Sequence, residues 1–441
     1  MAFYKFSRLQ KVFKFLNGLS FRDACRYLPA LMTKLCGAAV SLMLSVQITR
    51  TFGVQDSGVY FYVITLYSAI ATICLIGTPA AVTKYTAIQL ADGDIAGIVS
   101  VFKSALCIVI APTILAYAFL SSNTFGIVSY AIKDSQIITA LMGYSALVPL
   151  IVASMLVSAS LKGQSKPVCA IFYESFLHSF ILLVTLYYTK SVVDSEKLLS
   201  SHKYAILWPL VCIFIYTSMR LGWRQFSTKA YSIKKVFNTG VPLMQSSVLV
   251  VLMSATDIIV IGFYSDSVSV ALYSAANKIA ALGSLFLVLI NVFTNPRFAV
   301  LYRRSMADEL RILVNRSLFV GSLLGIVIFL VISVNSRYFM SFFGEDFERG
   351  AMALIILAFG QSVLLATGPS SSFMMMCGKE SQLRKSSFYA LLLNLILNFL
   401  LVPIYSFNGA AIATTVSLIM KNILNFMVMK RAVATTTIKL G

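Results

Sequence analysis

The stretch PALMTKLCGAAVSLMLSVQITRTFGVQDSGVY, residues 29–60, decides the fold. Its first part belongs to an apolar run, Leu28 to Ile48, which one cation, Lys34, interrupts. A polar corner, TRTFGVQDSG at 49–58, follows, and the chain becomes apolar again at Tyr60. About 20 apolar residues are enough for a helix to cross a bilayer. The stretch therefore predicts a transmembrane hairpin with a charge inside its first helix.

The whole chain has the composition of a polytopic membrane protein. Of its 441 residues, 59% are hydrophobic and 12% are charged, and the mean hydropathy is +0.85, whereas about a quarter of the residues of a soluble chain are charged. The apolar runs have helix length and lack the alternation of transmembrane β-strands. The seven cysteines are scattered without the spacing of a metal site or a disulfide framework, so we predict no metal and no cofactor.

Apolar runs bounded by polar loops predict twelve spans in two groups of six. The first six are 28–48, 58–80, 98–120, 137–159, 168–188 and 204–221, and the second six are 239–262, 270–295, 312–336, 351–376, 388–407 and 408–430. The fold class that follows is an all-α integral membrane protein with two six-helix lobes, 28–221 and 239–430, around a central cavity. A basic segment, 1–27, precedes the first lobe, a linker, 222–238, joins the lobes, and a tail, 431–441, ends the chain.

The basic residues predict the orientation of the spans. Most of the 36 Lys and Arg residues fall in segments on one side of the predicted membrane, with dense groups in 220–235 and 297–311. The positive-inside rule places both termini in the cytoplasm. The same bias accounts for most of the net charge of +20, so we predict no nucleic-acid partner. Between Phe3 and Lys14 cations alternate with apolar residues, which fits either an interfacial amphipathic helix or a basic tail that sets the topology.

An internal repeat is predicted from one constant offset. Three pairs of similar residues lie 213 positions apart: Pro29 and Pro242, Tyr60 and Tyr273, and Lys84 and Arg297. Each pair holds the same topological place in its group of six spans. Because six spans return the chain to the same side, the two lobes should be related by an axis along the membrane normal, with the cavity between them.

Seven ionisable residues other than histidine fall inside predicted spans: Lys34, Lys103, Glu174, Asp257, Lys278, Arg316 and Lys421. A charge at bilayer depth is costly unless it is paired or faces water, so each marks a candidate site. Lys103 and Arg316 lie near predicted inner ends, where their side chains can snorkel. Lys34 and Lys278 lie deeper, and Lys421 is a third candidate ligand. The surplus of cations over acids favours an anion, such as a phosphate or diphosphate, as substrate headgroup.

The two acids and one histidine inside the spans are candidates for ion coupling. Asp257, near the predicted outer end of span seven, fits a counter-ion, a cation site or a helix-end charge. Glu174 and His178 are four residues apart on span five, so they share a helix face. A carboxylate next to an imidazole could carry a proton, because histidine titrates near neutral pH. The alternative is a polar pair that satisfies itself.

A family resemblance rests on several collinear motifs. The segment 49–60, TRTFGVQDSGVY, with Gly77-Thr78-Pro79 and Lys84-Tyr85 after it, resembles the N-terminal signature of bacterial polysaccharide exporters, although Ser57 stands where tyrosine is common. The C-terminal half is similar too, in GEDF at 344–347, CGKE at 377–380 and NGAAIA at 408–413. The chain thus resembles Wzx-type polysaccharide (O-antigen repeat-unit) flippases of the MOP exporter superfamily, whose fold is MATE-like with twelve helices in two lobes.

The resemblance implies a flippase that moves an undecaprenyl-diphosphate-linked oligosaccharide, the O-antigen or a related surface polysaccharide unit, from the cytoplasmic to the periplasmic leaflet of the bacterial inner membrane. Membrane lipids and polysaccharide-assembly proteins (a polymerase and a chain-length regulator) are the implied partners. No ATP-binding motif occurs in the sequence, so an ion gradient would drive alternating access.

Two other functions remain open at this point. A multidrug or small-cation antiporter of the same fold is disfavoured by the sign of the intramembrane charge. A membrane polymerase or ligase is disfavoured because the predicted outer loops are short and hold no obvious catalytic set. We therefore expect a transporter and not an enzyme.

Overall fold

The computed structural model describes residues 21–122, 132, 134–188, 195–221 and 231–438. These residues are almost all helical, which confirms the prediction of a helical membrane protein. Residues 1–20, with the predicted amphipathic stretch, lie outside the described residues, as do most of the linker and the last three residues of the tail.

The structure describes eight helices in residues 21–221, with gaps at 123–131, 133 and 189–194. They are α1 (Phe21–Cys74), α2 (Thr78–Ala91), α3 (Ile95–Ser121), α4 (Ser135–Gly143), α5 (Leu147–Gly163), α6 (Pro167–Ile171), α7 (His178–Tyr188) and α8 (Ser195–Leu221). A π-helical turn, Phe172–Leu177, connects α6 to α7.

The structure describes eight more helices in residues 231–438, the first of which begins inside the predicted linker. They are α9 (Ile233–Tyr264), α10 (Ser267–Leu282), α11 (Ser284–Arg303), α12 (Ala307–Val334), α13 (Ser336–Ser341), α14 (Ala351–Ala366), α15 (Ser370–Met376) and α16 (Glu380–Ile438). A 3₁₀ turn, Glu345–Gly350, precedes α14.

Seven helices in the described part of the chain are long and apolar enough to cross a membrane. The number becomes eight if α4 and α5, which meet at an angle of 60°, form one broken span. The chain is therefore a multi-pass membrane protein by length and composition. Two of the helices, α1 with 54 residues and α16 with 59 residues, are longer than one span needs.

Both long helices contain one residue with a non-helical backbone. In α1 this residue is Gly53, with φ 75° and ψ −176°, a conformation that glycine adopts without a Cβ penalty. In α16 it is Ser406, with φ 49°, whose hydroxyl pairs with that of Ser265 at 2.9 Å and donates to that of Ser269 at 3.1 Å. Within the predicted polar corner at 49–58 the break is thus confined to Gly53, with helix on both sides of it.

Aspartates cap three of the helices at their N-termini. The carboxylates of Asp94, Asp134 and Asp266 accept hydrogen bonds from the first backbone amides of α3, α4 and α10. These amides have no partner within their own helices, so a carboxylate there stabilises the helix start. Several of the few acids of this chain therefore have a structural role.

The first and second parts of the chain pack closely through α1 and α2 on one side and α9 and α10 on the other. A Cβ added to Gly58 would lie 1.8 Å from the carbonyl oxygen of Ser267, and one added to Gly77 would lie 2.1 Å from that of Gly240. Small residues allow membrane helices to approach until their backbones touch. At these two contacts the backbones of the first and second parts of the chain touch.

Candidate functional site

A cavity of about 330 Å³ lies between α1, α9 and α10. Its walls are formed by Phe61, Ile64, Thr65, Ser68, Val251, Ser254, Ala255, Ile258, Ser274, Asn277 and Lys278. The walls are apolar apart from a few hydroxyls, one amide and one ammonium group. Both predicted groups of six spans contribute helices to this cavity.

Lys278 is the one ionisable side chain among the described residues that line the cavity. Its Nζ donates a short hydrogen bond to Ser45 Oγ and lies 4.4 Å from the centre of the Phe61 ring. The ring face attracts the cation and the hydroxyl accepts one proton, but neither neutralises the charge. A half-buried ammonium without a carboxylate in the same wall is suited to an anionic ligand.

The second polar site surrounds Asp257, which is 2% exposed, on α9. Tyr273 Oη on α10 and Thr414 Oγ1 on α16 donate to Asp257 Oδ2 at 2.6 Å and 2.5 Å. Asn394 Nδ2 and Asn398 Nδ2 on α16 donate to Asp257 Oδ1 at 3.1 Å and 2.8 Å. Four donors thus surround one carboxylate, which is the arrangement a buried charge requires.

Two amide oxygens in the same site lack hydrogen-bond donors. Oδ1 of Asn394 and Oδ1 of Asn398 are buried without a partner, and each such atom costs the free energy of its lost hydration. A rotation of either terminal amide by about 180°, which exchanges Oδ1 and Nδ2, would direct its oxygen to the carboxylate. With Thr414 Oγ1 and Tyr273 Oη these atoms would then form an oxygen-rich shell, the ligand type that hard monovalent and divalent cations prefer.

The two histidines of the chain pack against each other in the first part of the molecule. The ring centres of His178 and His202 are 6.2 Å apart, and His202 Nδ1 pairs with Tyr60 Oη at 2.8 Å. Glu174, the expected partner of His178, instead accepts hydrogen bonds from Lys162 Nζ at 2.7 Å and from a serine of α5. The side chains of Glu174 and His178 therefore have different partners in the structure.

The other predicted site residues lie outside the cavity walls. Lys34 is exposed on α1, and Lys421 is half-buried on α16. Lys103 is half-buried on α3, and Arg316 lines a different pocket, between α11 and α12. Of the three predicted headgroup ligands, Lys278 is the one that the structure brings into the cavity.

Sequence reasoning missed Asn394, Asn398 and Thr414 as partners of Asp257, and His202 as the partner of His178. The spacing of the two asparagines could have indicated a polar site, since polar residues four positions apart in an apolar run lie on one helix face. Their partner was not detectable, because Asp257 lies 137 residues before Asn394.

Comparison with known proteins finds two family models on the chain. The polysaccharide biosynthesis protein model matches residues 30–302, and the MatE model matches residues 242–400. A capsular polysaccharide biosynthesis protein, CapF, of Staphylococcus aureus is 27% identical over 218 residues, which is 47% of this chain and 54% of that protein. A probable low-salt glycan biosynthesis flippase, Agl15, of Haloferax volcanii is 25% identical over 239 residues, 53% of this chain and 49% of that protein. The chain spans about half the length of these curated relatives.

Solved structures show the same fold at low sequence identity. An inward-facing multidrug resistance MATE family transporter of the MOP superfamily superposes with a TM-score of 0.76 at 12% identity, covering 92% of this chain and 99% of the other. The lipid II flippase MurJ in an inward closed conformation superposes with a TM-score of 0.67 at 14% identity, covering 92% and 89%. The predicted MATE-like architecture is thereby confirmed at the level of fold.

Proposed function

Since the chain belongs to the polysaccharide biosynthesis protein family, we propose that it is a flippase for a lipid-linked glycan. The substrate in this proposal is an undecaprenyl-diphosphate-linked oligosaccharide of a surface polysaccharide such as O-antigen. It moves from the cytoplasmic to the periplasmic leaflet of the inner membrane, and both termini of the flippase face the cytoplasm. The named relatives, a capsular polysaccharide biosynthesis protein and a probable glycan flippase, support the substrate class.

The main support for this proposal is the environment of Lys278. Its ammonium group faces a cavity whose other described walls are apolar or neutral, between helices that come from both parts of the chain. A diphosphate that enters this cavity gains a charge-assisted hydrogen bond in a medium of low dielectric constant. The polyprenyl tail needs no site of this kind, since it can remain in the lipid.

The proposed architecture has twelve spans in two lobes that rock against each other. The breaks at Gly53 and Ser406 each divide one long helix into two spans. The part of α1 after Gly53 forms one span with α2, and α4–α5, α6–α7, α10–α11 and α14–α15 each form one broken or bent span. This assignment gives six spans on each side of the linker. The 213-residue offset supports it, because Tyr60 and Tyr273 are both buried and each hydroxyl meets a titratable side chain.

Asp257 is the proposed coupling site. Its buried carboxylate and the unpartnered oxygens of Asn394 and Asn398 suit a monovalent cation, Na⁺ or a proton, from the gradient. The site joins α9 and α10 to α16, so occupancy would change how these helices pack within the second lobe. His178 and His202 form a second candidate for proton coupling, since the two imidazole rings lie together, with their centres 6.2 Å apart.

A multidrug antiporter is the second candidate function, because a MATE transporter shares the fold. An organic cation would meet Lys278 in the cavity without a carboxylate on the described walls, and like charges repel in that setting. This repulsion favours the glycan substrate over the cationic drug.

The test of the proposed function uses cells that lack the gene. A flippase defect should remove surface polysaccharide and leave the diphosphate-linked oligosaccharide in the cytoplasmic leaflet, where periplasmic glycosidases and ligases do not reach it. Plasmid-borne wild type should restore export. Normal polysaccharide in the deletion strain, together with new sensitivity to cationic drugs, would refute the glycan assignment and support the antiporter.

A further inference from the structure

A second pocket lies between α11 and α12, away from the central cavity. It has a volume of about 520 Å³, and its walls combine two guanidinium groups and one carboxylate with apolar side chains. The charged residues are Arg297, Arg316 and Glu309, so the walls carry a net positive charge. The sequence alone explained Arg316 as a snorkelling side chain, which does not account for a second arginine in the same pocket.

This pocket is separate from the substrate cavity. The two sets of lining residues do not overlap. Arg297 follows Lys278 by 19 positions in the sequence, which along helices corresponds to roughly 28 Å at about 1.5 Å per residue. A ligand held at Arg297 and Arg316 therefore cannot touch Lys278 with the same headgroup.

The apolar part of the pocket indicates a lipid. Val300 and Ile312 line it and are 48% and 50% exposed. Farther along α12, Phe319 and Leu323 are also exposed, so the apolar surface extends from the pocket towards the middle of the span. An arginine pair binds phosphate oxygens in a fixed geometry, and the exposed apolar surface of a membrane helix packs against acyl chains. Basic pockets between membrane helices at the cytoplasmic side bind anionic headgroups.

The internal repeat supports a built site over a chance pair of cations. The offset of 213 that relates Lys84 to Arg297 also relates Lys103 to Arg316. Lys84 and Lys103 lie on α2 and α3, the helices that correspond to α11 and α12 in the first part of the chain. Both halves thus carry a cation at the same two places, and the second half has arginine at each.

We propose that the pocket between α11 and α12 binds the phosphate of an anionic phospholipid from the surrounding bilayer. Arg297 and Arg316 contact the phosphate oxygens, and Val300 and Ile312 contact the start of an acyl chain. Glu309 opposes the phosphate charge and limits affinity, so the lipid exchanges with the bilayer. This site is independent of the proposed transport function, because it lies outside the cavity between the two parts of the chain.

The experiment is a lipid titration of the purified, detergent-solubilised full chain. Native mass spectrometry counts bound dioctanoyl phosphatidylglycerol, with dioctanoyl phosphatidylcholine as the neutral comparison. The wild type should retain phosphatidylglycerol in preference to phosphatidylcholine. In the double variant Arg297→Gln with Arg316→Gln, the affinity for phosphatidylglycerol should fall at least about tenfold, because two charge-assisted contacts are lost. Glu309→Gln should bind it more tightly.

The matched control is Arg303→Gln with Arg311→Gln, which removes two charges from the same helices at positions outside the pocket walls. It should bind phosphatidylglycerol as the wild type does. Equal loss of phosphatidylglycerol binding in both double variants would mean that the lipid is attracted by the general positive charge and not by this pocket. Displacement of the lipid by equimolar inorganic phosphate or pyrophosphate would mean that the pocket binds phosphate alone. Either result overturns the proposal. If the first double variant does not fold, the test uses Val300→Trp. This variant keeps both arginines, and its larger side chain should fill the apolar part of the pocket and prevent lipid binding.

Discussion

The side chain of Arg50 donates a hydrogen bond of 2.8 Å through Nε to the main-chain carbonyl oxygen of Phe342, 292 residues later in the sequence. Arg50 lies just before the break of α1 at Gly53, and Phe342 follows the short helix α13. The bond connects the first part of the chain to the second at their predicted outer ends. Transport by alternating access requires such contacts to open in one state.

We expect Arg50→Ala to shift the protein towards its outward-open state. Loss of one hydrogen bond to a charged group, about 1.5 kcal/mol, changes the population of the open state roughly tenfold. The measurement is the rate at which a membrane-impermeant maleimide labels Ser254→Cys, whose position lines the cavity. Arg337→Ala removes a cation of α13 at the same end and should leave the rate unchanged. A similar rate in Arg50→Ala and the parent would contradict the role of this contact.

Gly58→Ala should destabilise the protein by separating α1 from α10. The added methyl group would lie 1.8 Å from the carbonyl oxygen of Ser267, and a backbone atom cannot move aside as a flexible side chain can. Overpacking of this kind costs about 1–3 kcal/mol. The measurement is the thermal unfolding midpoint in detergent. Gly143→Ala is the control, because no atom lies within 4 Å of its added Cβ, and an equal fall in both variants would refute the contact as its cause.

Much of the fold was predictable because membrane helices follow local rules. A run of apolar residues predicts a span wherever it occurs, and Gly53 and Ser406 lie close to the predicted boundaries between spans one and two and between spans eleven and twelve. The sequence also indicated Lys278 as a candidate site residue, because a cation inside a span has an energetic cost wherever it occurs. What it could not predict was that both helices would extend into the polar corner at 49–58 and leave a break at Gly53 alone.

The contacts of the site were less predictable because they join distant parts of the chain. The pairing of Glu174 with His178 assumed an α-helix, whereas the structure has a π-helical turn at Phe172–Leu177, in which each turn holds more residues. The partner of Glu174, Lys162, lies on the preceding helix. Spacing rules identify a helix face, but the helix that faces it is decided by packing.

Cys377 should react very slowly with thiol reagents in the folded protein. It lies in the turn between α15 and α16, and burial raises the pKa of its thiol to about 12, although Lys379 opposes this shift. About one molecule in 10⁵ is then a thiolate at neutral pH, and the thiolate is the reactive form. The measurement is mass-spectrometric detection of maleimide adducts. Cys169, which is exposed on α6, should label first, and equal labelling of both would contradict the buried position of Cys377.

Lys278→Ala should abolish export of surface polysaccharide while the protein stays in the membrane. The variant removes the cation of the cavity, whereas Lys278→Arg keeps it and should retain partial export. Lys34→Ala is the matched control, since it removes one positive charge from an exposed position on α1 outside the cavity walls. Quantified surface glycan and immunoblots of membranes provide the two readouts. Full complementation by Lys278→Ala would remove the main support for the anion site.

Asp257→Asn should abolish stabilisation of the purified protein by its coupling ion. A cation that binds only the folded state raises stability by about 2.7 kcal/mol at 100 times its dissociation constant, so the unfolding midpoint of the wild type should rise when NaCl replaces choline chloride at constant ionic strength. The variant has nearly the same shape but lacks the charge and one of the two acceptor oxygens, and its midpoint should not respond. Thr414→Val, which removes one oxygen of the shell, should respond at higher Na⁺ concentrations.

Asp266→Asn provides the control for this last prediction, because it removes a carboxylate nine positions away in the sequence that caps α10 and does not contact Asp257 in the network described. Its midpoint should change little, because asparagine caps a helix about as well as aspartate, and its response to Na⁺ should equal that of the wild type. A wild type that ignores Na⁺ but responds to pH in an Asp257-dependent manner would identify the proton as the ion. An unchanged Na⁺ response in Asp257→Asn would exclude Asp257 as the site of coupling.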